Sequence, residues 1–437
     1  MKNSTLLSVY QREFISRIIA IPSVGGLPEE GAPYGRIPRE VLRAFLDEAK
    51  AKGFRTGVEG ERIGWVEFGE GDRLFGILCH LDVVPVGDGW DSDPFTLAFR
   101  ADETGREAMY GRGIVDDKGP ACAAFFAMLE LAEEGWIPDG YRVRLILGTD
   151  EERTCSCMRY YASHAQVPDF SITPDSIFPV IYCEKGITQL KLSGENRKHM
   201  SARGGSAVNI VPASAECEVA GKTISVSGKA AHASIPELGV NAIRLLAEAM
   251  EGQRIRLEEY PVMKFVRDFD AGSFTGCDPT GDYGNLSCNI GMLSAGKDGC
   301  ELRMDLRIPW DADHDAVIRN LTEKASEYGL ETQVTLDLPP LLKDRNSSGI
   351  RILTEIWKRH MDRFTGFREE YRDFHTEPKA VGVGTYARHI PNAIAFGIQA
   401  PWQADQCHQA NEHAAVTDYL QWIQIMKESI MAAGEFI

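Results

Sequence analysis

The sequence lacks the features that would place it in a membrane or on nucleic acid. Its 437 residues contain no run of about 18 consecutive apolar residues, the length that a membrane-spanning helix needs. Positive charge is scarce, with 47 lysines and arginines against 64 aspartates and glutamates and a formal net charge of −17. Because nucleic acids and anionic membranes attract basic surfaces, neither is expected as a partner.

Paired cysteines are also missing. The ten cysteines are scattered and form no C-x-x-C pair, which argues against a structural zinc knuckle. Several lie in apolar segments typical of buried strands and helices, so we expect free, buried thiols in a reducing compartment. The first 24 residues have neither the basic nor the continuous apolar segment of a secretory signal, and their spacing predicts an amphipathic helix. A cytoplasmic location is therefore expected.

The chain is too long for a single compact core, and its pattern predicts two domains. Strand-like and helix-like segments alternate over residues 1–186, which is typical of an α/β sheet with helices on both faces. Residues 187–346 contain short strand patterns, some joined by glycine-rich turns, and two helical patterns, as in an α+β domain. Residues 347–437 return to the α/β pattern. We predict one α/β domain formed by both ends of the chain, with an α+β domain inserted.

The segment "FGILCHLDVVPVGDGW" ends an apolar, strand-like run with His80 and Asp82. Residues two apart in an extended chain point the same way. Asp82 can therefore accept a hydrogen bond from one imidazole nitrogen while the other nitrogen binds a metal. Alone, this pair also fits an ordinary histidine at the end of a strand.

Four further clusters strengthen the metal interpretation. They are Asp116 and Asp117 in "YGRGIVDDKGP", Asp150 to Glu152 in "ILGTDEE", Asp175 in "SITPDSIFP" and His408 in "CHQANEH". Active sites of α/β sheets lie beyond the carboxyl ends of the strands, where these clusters would converge. Solvated turn carboxylates would explain any one cluster, but turns have no need of the two histidines.

Seven segments together resemble one enzyme family. They are "HLDVVPVGDGWDSDPF", "YGRGIVDDKGP", "GTDEE", "TPDSIFPVIYCEKG", "GKAAHASIPELGVNAI", "GVGTYARHIPNAIAFG" and "HQANEH". These segments resemble the PepV-type dipeptidases, part of a group of dinuclear zinc exopeptidases and deacylases that includes carnosinases, aminoacylases and succinyl-diaminopimelate desuccinylases. The resemblance implies a zinc-exopeptidase-like α/β catalytic domain with an inserted α+β lid or dimerisation domain.

The resemblance also implies roles for individual residues. The implied zinc ligands are His80, Asp116 and Asp175 for one ion and Asp116, Glu152 and His408 for the other. Glu151 would be the general base, Asp82 would orient His80, and the peptide bond between Asp116 and Asp117 would be cis. Two zinc ions about 3.5–4 Å apart lower the pKa of a shared water and polarise a carbonyl. Cobalt or manganese would also suit these nitrogen and oxygen ligands.

The inserted domain would contribute substrate contacts, again by resemblance. Asn209 and His232 would donate hydrogen bonds to the oxyanion, and Arg307 would bind the free carboxylate of the substrate. The backbone of Gly382 and Gly384, in the "GVGTY" turn, would lie near the same end of the substrate. From the sequence alone, His232 would be an ordinary turn histidine and Arg307 a charge on the surface of a strand.

Two departures from the family pattern affect these expectations. Arg153 follows the paired glutamates where serine or threonine is usual, and Val383 replaces a commoner glycine. The metal and base positions are intact, so we expect an active enzyme that cleaves a small peptide, an unblocked dipeptide. The alternatives are an N-acyl-amino-acid deacylase using the same metals and, from another class, an inactive peptide-binding protein. The sequence leaves open whether the chain is a monomer or a homodimer.

Overall fold

The computed structural model describes residues 6–196, 198–277 and 284–437. Its contacts divide the chain into two units. Unit 1 comprises Met1–Tyr182, Lys343–Lys379 and Thr385–Ile437, and unit 2 comprises Cys183–Leu342 and Ala380–Gly384. Among the described residues, no helix is both long enough and apolar enough to span a membrane. The predicted boundaries at 186 and 346, and the role of a lid or dimerisation domain for the insert, stay predictions.

The described residues form ten α-helices. Their bounds are α1 Val9–Ile19, α2 Arg36–Ala51, α3 Lys118–Glu133, α4 Ser156–His164, α5 Ala242–Gly252, α6 Pro261–Asp268, α7 Ala271–Thr275, α8 His314–Glu327, α9 Ser348–His360 and α10 Val416–Ala432. Short 3₁₀ helices lie at Pro236–Leu238, Leu257–Glu259, Met361–Arg363, Glu369–Asp373, Tyr386–His389 and Ala433–Glu435.

The same residues form nineteen strands. The first ten in chain order are β1 Arg55–Glu59, β2 Ile63–Gly69, β3 Arg73–His80, β4 Ala98–Ala101, β5 Glu107–Tyr110, β6 Tyr141–Gly148, β7 Phe170–Thr173, β8 Val180–Glu184, β9 Gly186–Gly194 and β10 Ser201–Gly204. Nine follow: β11 Ser214–Val219, β12 Lys222–Ser227, β13 Ser287–Gly296, β14 Gly299–Ile308, β15 Glu331–Leu338, β16 Leu341–Leu342, β17 Lys379–Val381, β18 Ala393–Phe396 and β19 His413–Ala415.

A mixed sheet forms the centre of unit 1, with its strands in the order β1-β2-β6-β3-β7-β18-β8. The four middle strands, β6, β3, β7 and β18, run parallel, and β1, β2 and β8 join antiparallel at the two sides. Helix α3 packs against β3, β6, α1 and α10, and is buried along most of its length. Helices α2 and α4 pack against β1 and β2. The predicted α/β architecture is therefore confirmed.

Sequence spacing explains why α1 and α2 form where they do. Ser8 and Gln11 make a capping box, in which each side chain accepts a hydrogen bond from the other residue's backbone amide at the start of α1. In α2, Val41, Phe45 and Ala49 are fully buried at intervals of four residues. This spacing places one apolar stripe of the helix against the core.

Unit 2 is built on an antiparallel sheet with the strand order β12-β11-β10-β13-β14-β9-β15. Helix α5 packs on β11 and β12, α6 on β14, and α8 on β15. A separate hydrophobic core, containing Leu246, Phe265 and Leu302 among others, lies within this unit. The predicted α+β character of the insert is confirmed.

All ten cysteines are free, as predicted, and six of them are buried. The buried thiols are Cys79, Cys122, Cys157, Cys183, Cys217 and Cys300. Cys79 and Cys122 belong to the hydrophobic core of unit 1, where a thiol packs as a small apolar group. These cysteines therefore contribute to packing and not to covalent cross-links.

Candidate metal centre

The site residues of unit 1 lie where its parallel strands end. Strand β3 is buried along its length except at its first residue, pairs with β6 and β7, and ends at His80. Strand β6 ends at Gly148, three residues before Glu151, and β7 ends two residues before Asp175. Because the carboxyl ends of parallel strands share one edge of the sheet, segments that are far apart in sequence meet there.

Asp116 reaches the same edge through the loop before α3. Its peptide bond to Asp117 is cis, as predicted. The Asp117 carboxylate accepts a hydrogen bond from the backbone amide of His80 at 2.9 Å. Helix α3 begins at the next residue, Lys118. The loop is therefore attached both to the end of β3 and to the start of a buried helix.

His80, Asp116 and Asp175 form the first potential metal-binding group. His80 Nε2 lies 2.9 Å from Asp116 Oδ1 and 3.7 Å from Asp175 Oδ2. The other imidazole nitrogen, Nδ1, is 2.9 Å from the backbone carbonyl of Asp82. A carbonyl only accepts, so Nδ1 carries the hydrogen in this contact.

Asp116, Glu152 and His408 form the second group. His408 Nε2 lies 3.1 Å from Asp116 Oδ2 and 3.0 Å from Glu152 Oε2. Within each group the donor atoms lie within 4.8 Å of one another. Asp116 offers one carboxylate oxygen to each group, which is the arrangement expected of a bridging ligand.

The chemistry of these donors fits metal ions. In the neutral form, the Nε2 lone pair of His80 faces two carboxylates that also offer only lone pairs, and a bound metal ion would satisfy all three donors. Glu152 Oε1 is buried and has no hydrogen-bond partner among the described residues. Imidazole nitrogens and carboxylate oxygens suit zinc, and also cobalt or manganese.

The pKa shifts at the site show that negative charge is crowded there. Burial, reinforced by the charge of Asp116, raises the pKa of Asp175 to about 7. Burial and the charge of Asp175 raise the pKa of Glu151 well above the usual glutamate range. Burial opposes protonation of His408, but its hydrogen bonds to Asp116 and Glu152 raise its pKa to about 11. Bound cations would relieve this crowding of carboxylates.

Asp82 makes contacts that the sequence pattern did not predict. Its carboxylate oxygens accept hydrogen bonds from the backbone amides of Glu151 and Glu152, each at 3.1 Å. The Asp82 carboxylate lies 3.6 Å from His80 Nδ1, farther than the Asp82 carbonyl at 2.9 Å. Asp82 therefore contacts His80 mainly through its backbone and fixes the segment that carries both glutamates.

Glu151 belongs to neither metal-binding group, although it is adjacent to Glu152. Its carboxylate oxygen Oε1 lies 3.6 Å from the thiol of Cys155, which also lies 3.4 Å from the Glu151 carbonyl. Within the described parts of the chain, this thiol is the hydrogen-bond partner of the Glu151 carboxylate. Cys155 lies four residues after Glu151, in a turn where its φ is 52°. This short spacing was the only sequence signal for the contact, and it is a weak one.

Arg153 contacts the backbone of Gly26 and lies 4.0 Å from the carboxylate of Asp150, the residue before Glu151. Its guanidinium donates to the backbone carbonyl of Gly26 at 2.8 Å, and its side chain is 46% exposed. The charges that shift the pKa of Glu151 most belong to Asp175, His80, Glu152 and Asp116. An effect of Arg153 on that pKa or on substrate preference stays a prediction.

Unit 2 brings together Arg307 and the turn that contains Gly382 and Gly384. The buried guanidinium of Arg307 donates to Asp305 Oδ1 at 2.6 Å and to Oδ2 at 3.3 Å. It also donates to the backbone carbonyl of Gly382 at 3.1 Å. Arg307 is therefore held rigidly by Asp305, two residues away. Val383, which lies between the two glycines of the turn, is exposed.

Asn209 and His232 are also neighbours within unit 2. The Asn209 carbonyl accepts a hydrogen bond from the amide of Ala233 at 2.9 Å. His232 Nδ1 accepts from the backbone amide of Ser234 at 3.2 Å and lies 2.7 Å from its hydroxyl. An amide can only donate, so the neutral ring carries its hydrogen on Nε2. The side chain can therefore act as a hydrogen-bond donor through Nε2, as the predicted oxyanion contact requires.

An α/β sheet whose strand ends carry two potential metal-binding groups is typical of a metal-dependent hydrolase. The chain belongs to peptidase family M20/M25/M40, whose model matches residues 76–344. It is accordingly a metallopeptidase. A curated relative, "Putative dipeptidase YtjP" of Bacillus subtilis (strain 168), is 31% identical over 443 residues, covering 92% of this chain and 91% of the relative.

Solved structures share the fold along nearly the whole chain. Human carnosine dipeptidase 1 is similar with a TM-score of 0.60 and 15% identity, covering 98% of each chain. The dipeptidase Dug1p from Saccharomyces cerevisiae is similar with a TM-score of 0.62 and 13% identity, covering 98% of this chain and 96% of Dug1p. At these identities the structures establish the shared fold alone.

Proposed function

We propose that this metallopeptidase is a dipeptidase that hydrolyses the peptide bond of unblocked dipeptides at a dinuclear zinc centre. The observation that carries the proposal is the sharing of Asp116 by the two metal-binding groups, with Glu151 beside them and in neither. A site of this kind has two places for cations and one unassigned carboxylate. Two-metal hydrolysis requires the same components.

The similar proteins favour peptides as substrates. The relative from B. subtilis is named as a dipeptidase, and so are two of the proteins that share the fold. The expected ligand sets are His80, Asp116 and Asp175 for one ion and Asp116, Glu152 and His408 for the other. When bound, the ions would polarise the scissile carbonyl and make a water molecule more acidic.

Glu151 is proposed as the general base. It would take a proton from the attacking water and pass that proton to the leaving amine. Its position is set from two directions, because its backbone amide is held by Asp82 and its carboxylate is contacted by the Cys155 thiol. Burial disfavours its charged form, which makes the carboxylate a stronger proton acceptor.

The predicted substrate contacts of unit 2 belong to the same proposal. Asn209 and His232 would donate to the oxyanion, and Arg307 would bind the carboxylate of the substrate. The Nε2 hydrogen of neutral His232 supports the first role. Gly382 and Gly384 would offer backbone groups, and unit 2 as a whole would serve as a lid or dimerisation domain. A cytoplasmic location and the oligomeric state, monomer or homodimer, stay predictions.

An assay of substrate classes tests the proposal. Metal-replete protein would be incubated with a panel of free dipeptides and with N-acetyl and N-succinyl amino acids, and released amino acids would be quantified. Hydrolysis of free dipeptides, abolished by a chelator and restored by Zn²⁺, is the expected result. Cleavage of the blocked substrates alone would identify a deacylase instead. Peptide binding without hydrolysis of any substrate would indicate an inactive binding protein.

A further inference from the structure

A buried ion pair between Arg112 and Glu412 contacts the backbone of two predicted metal ligands, Asp116 and His408. Both residues are almost completely buried, at 1% and 0% exposure. Arg112 Nη1 donates to Glu412 Oε2 at 2.8 Å. The motif "HQANEH" contains Glu412, but its sequence pattern gives this residue no role. The pair lies entirely within unit 1.

Glu412 holds the loop that leads to Asp116. Its Oε2 accepts a hydrogen bond from the amide of Gly113 at 3.0 Å. Its Oε1 accepts from the amides of Val115 and Asp116 at 2.7 and 3.1 Å. One carboxylate therefore binds three backbone amides and one guanidinium, and the last of the amides belongs to the residue shared by both metal-binding groups.

Arg112 binds the backbone of the segment that carries His408. Its Nη2 donates to the backbone carbonyl of His408 at 3.4 Å and to that of Val86 at 3.3 Å. His408 has a φ of 63°, in the left-handed region that residues with side chains adopt only when their surroundings enforce it. The pair thus reaches from the Asp116 loop to the backbone of the second histidine ligand.

Strand pairing alone does not fix these two loops. Strands β5 and β19 pair Tyr110 with His413, which brings the segments together at one end. The Arg112–Glu412 contacts extend this connection along both segments to Asp116 and His408, the predicted metal ligands that they carry. A buried ion pair is weak evidence for stability, because removing its charges from water costs about as much as their attraction returns. A role in positioning accounts better for its presence here.

We infer that Arg112 and Glu412 are positioning residues. They would set the affinity of the site for metal ions by holding the Asp116 and His408 loops in a fixed relative position. This inference rests on the proposed metal site but not on the identity of the substrate. Partners of metal ligands in other proteins typically account for about 10- to 100-fold in metal affinity. We expect a loss of metal affinity of that size when the Arg112–Glu412 contacts are removed.

The test measures Zn²⁺ affinity, by competition with a chromogenic chelator, in metal-stripped wild type and variants. Glu412→Gln keeps the shape of the side chain but turns one acceptor oxygen into a donor, facing the Gly113 amide and Arg112. We expect its Zn²⁺ affinity to fall about 10- to 100-fold. Arg112→Lys keeps the charge but loses the second nitrogen that reaches His408, so a smaller loss is expected.

Glu67→Gln is the matched control. Glu67 is also buried, at 4% exposure, and pairs with Arg144 at 2.7 Å in the same unit without contacting a predicted metal ligand. Both glutamine variants should unfold at lower temperature, but only Glu412→Gln should lose Zn²⁺ affinity. Wild-type affinity in Glu412→Gln, or an equal loss in Glu67→Gln, would overturn the inference. If Glu412→Gln does not fold, wild-type affinity in Arg112→Lys overturns it.

The outcomes also separate this inference from the proposed function. A wild-type protein that binds Zn²⁺ but cleaves no free dipeptide would refute the dipeptidase proposal and leave the affinity comparison valid. Full dipeptidase activity with unchanged Zn²⁺ affinity in both variants would refute the positioning role alone.

Discussion

Replacing Glu151 by glutamine tests the proposed chemistry most sharply. The substitution keeps the size of the side chain but removes its capacity to accept a proton. The structure predicts that the metal ions remain, because Glu151 belongs to neither metal-binding group and its backbone is held independently by Asp82 at 3.1 Å. We therefore expect a loss of kcat without a loss of metal.

The size of the loss follows from the role. A positioned general base contributes about 10²- to 10⁴-fold to a rate, which corresponds to about 2.7–5.5 kcal/mol of activation free energy. Steady-state kinetics on the best dipeptide of the panel would measure kcat and KM, and atomic emission would measure bound zinc. Since Glu151 is assigned to proton transfer, KM should change much less than kcat.

The neighbouring residue supplies the control. Glu152→Gln makes the same chemical change one position along the chain, but in a member of the second metal-binding group. It should lose zinc as well as activity. The reasoning would be refuted if Glu151→Gln retained turnover within a few-fold of wild type, or if it lost zinc to the same extent as Glu152→Gln.

Three further outcomes are expected. Stripping the metal should lower the unfolding temperature, because ions that bind only the folded state stabilise it by about 2.7 kcal/mol at 100 times Kd; an unchanged calorimetric melt would contradict this. Gly119→Ala should destabilise the protein in urea titrations, since the new Cβ would lie 1.9 Å from a backbone carbonyl oxygen. The hydrogen bond with His360 lowers the pKa of Glu428 to about 2, against an ordinary 4.5. Its stabilisation is complete above the ordinary value and disappears as the pH falls towards 2, so Glu428→Gln should lower the melting temperature at neutral pH and progressively less in acid.

The convergence of the metal-binding residues could be predicted because the sequence shows which residues follow the carboxyl ends of the strand patterns. His80 ends an apolar strand, and Glu152 and Asp175 closely follow two others. Parallel strands of an α/β sheet present these ends on one edge. Periodicity therefore indicates which side chains share an edge of the sheet, although it gives no distances between them.

The contacts that position these residues could not be predicted in the same way. Asp82 was expected to bind the imidazole of His80 through its carboxylate, which lies 3.6 Å from His80 Nδ1. The same carboxylate also accepts hydrogen bonds from the amides of Glu151 and Glu152, which was not expected. The role of Glu412 depends on three backbone amides about 300 residues earlier in the chain. Such contacts depend on how loops cross after their strands end, which no local pattern records.

The central claim is that five side chains hold two metal ions that share Asp116. Anomalous diffraction from crystals of zinc-loaded protein, collected on both sides of the zinc absorption edge, tests it most directly. Two zinc peaks are predicted, one contacting His80 and Asp175, the other Glu152 and His408, and both contacting Asp116. A single peak, or zinc bound away from these side chains, would contradict the account.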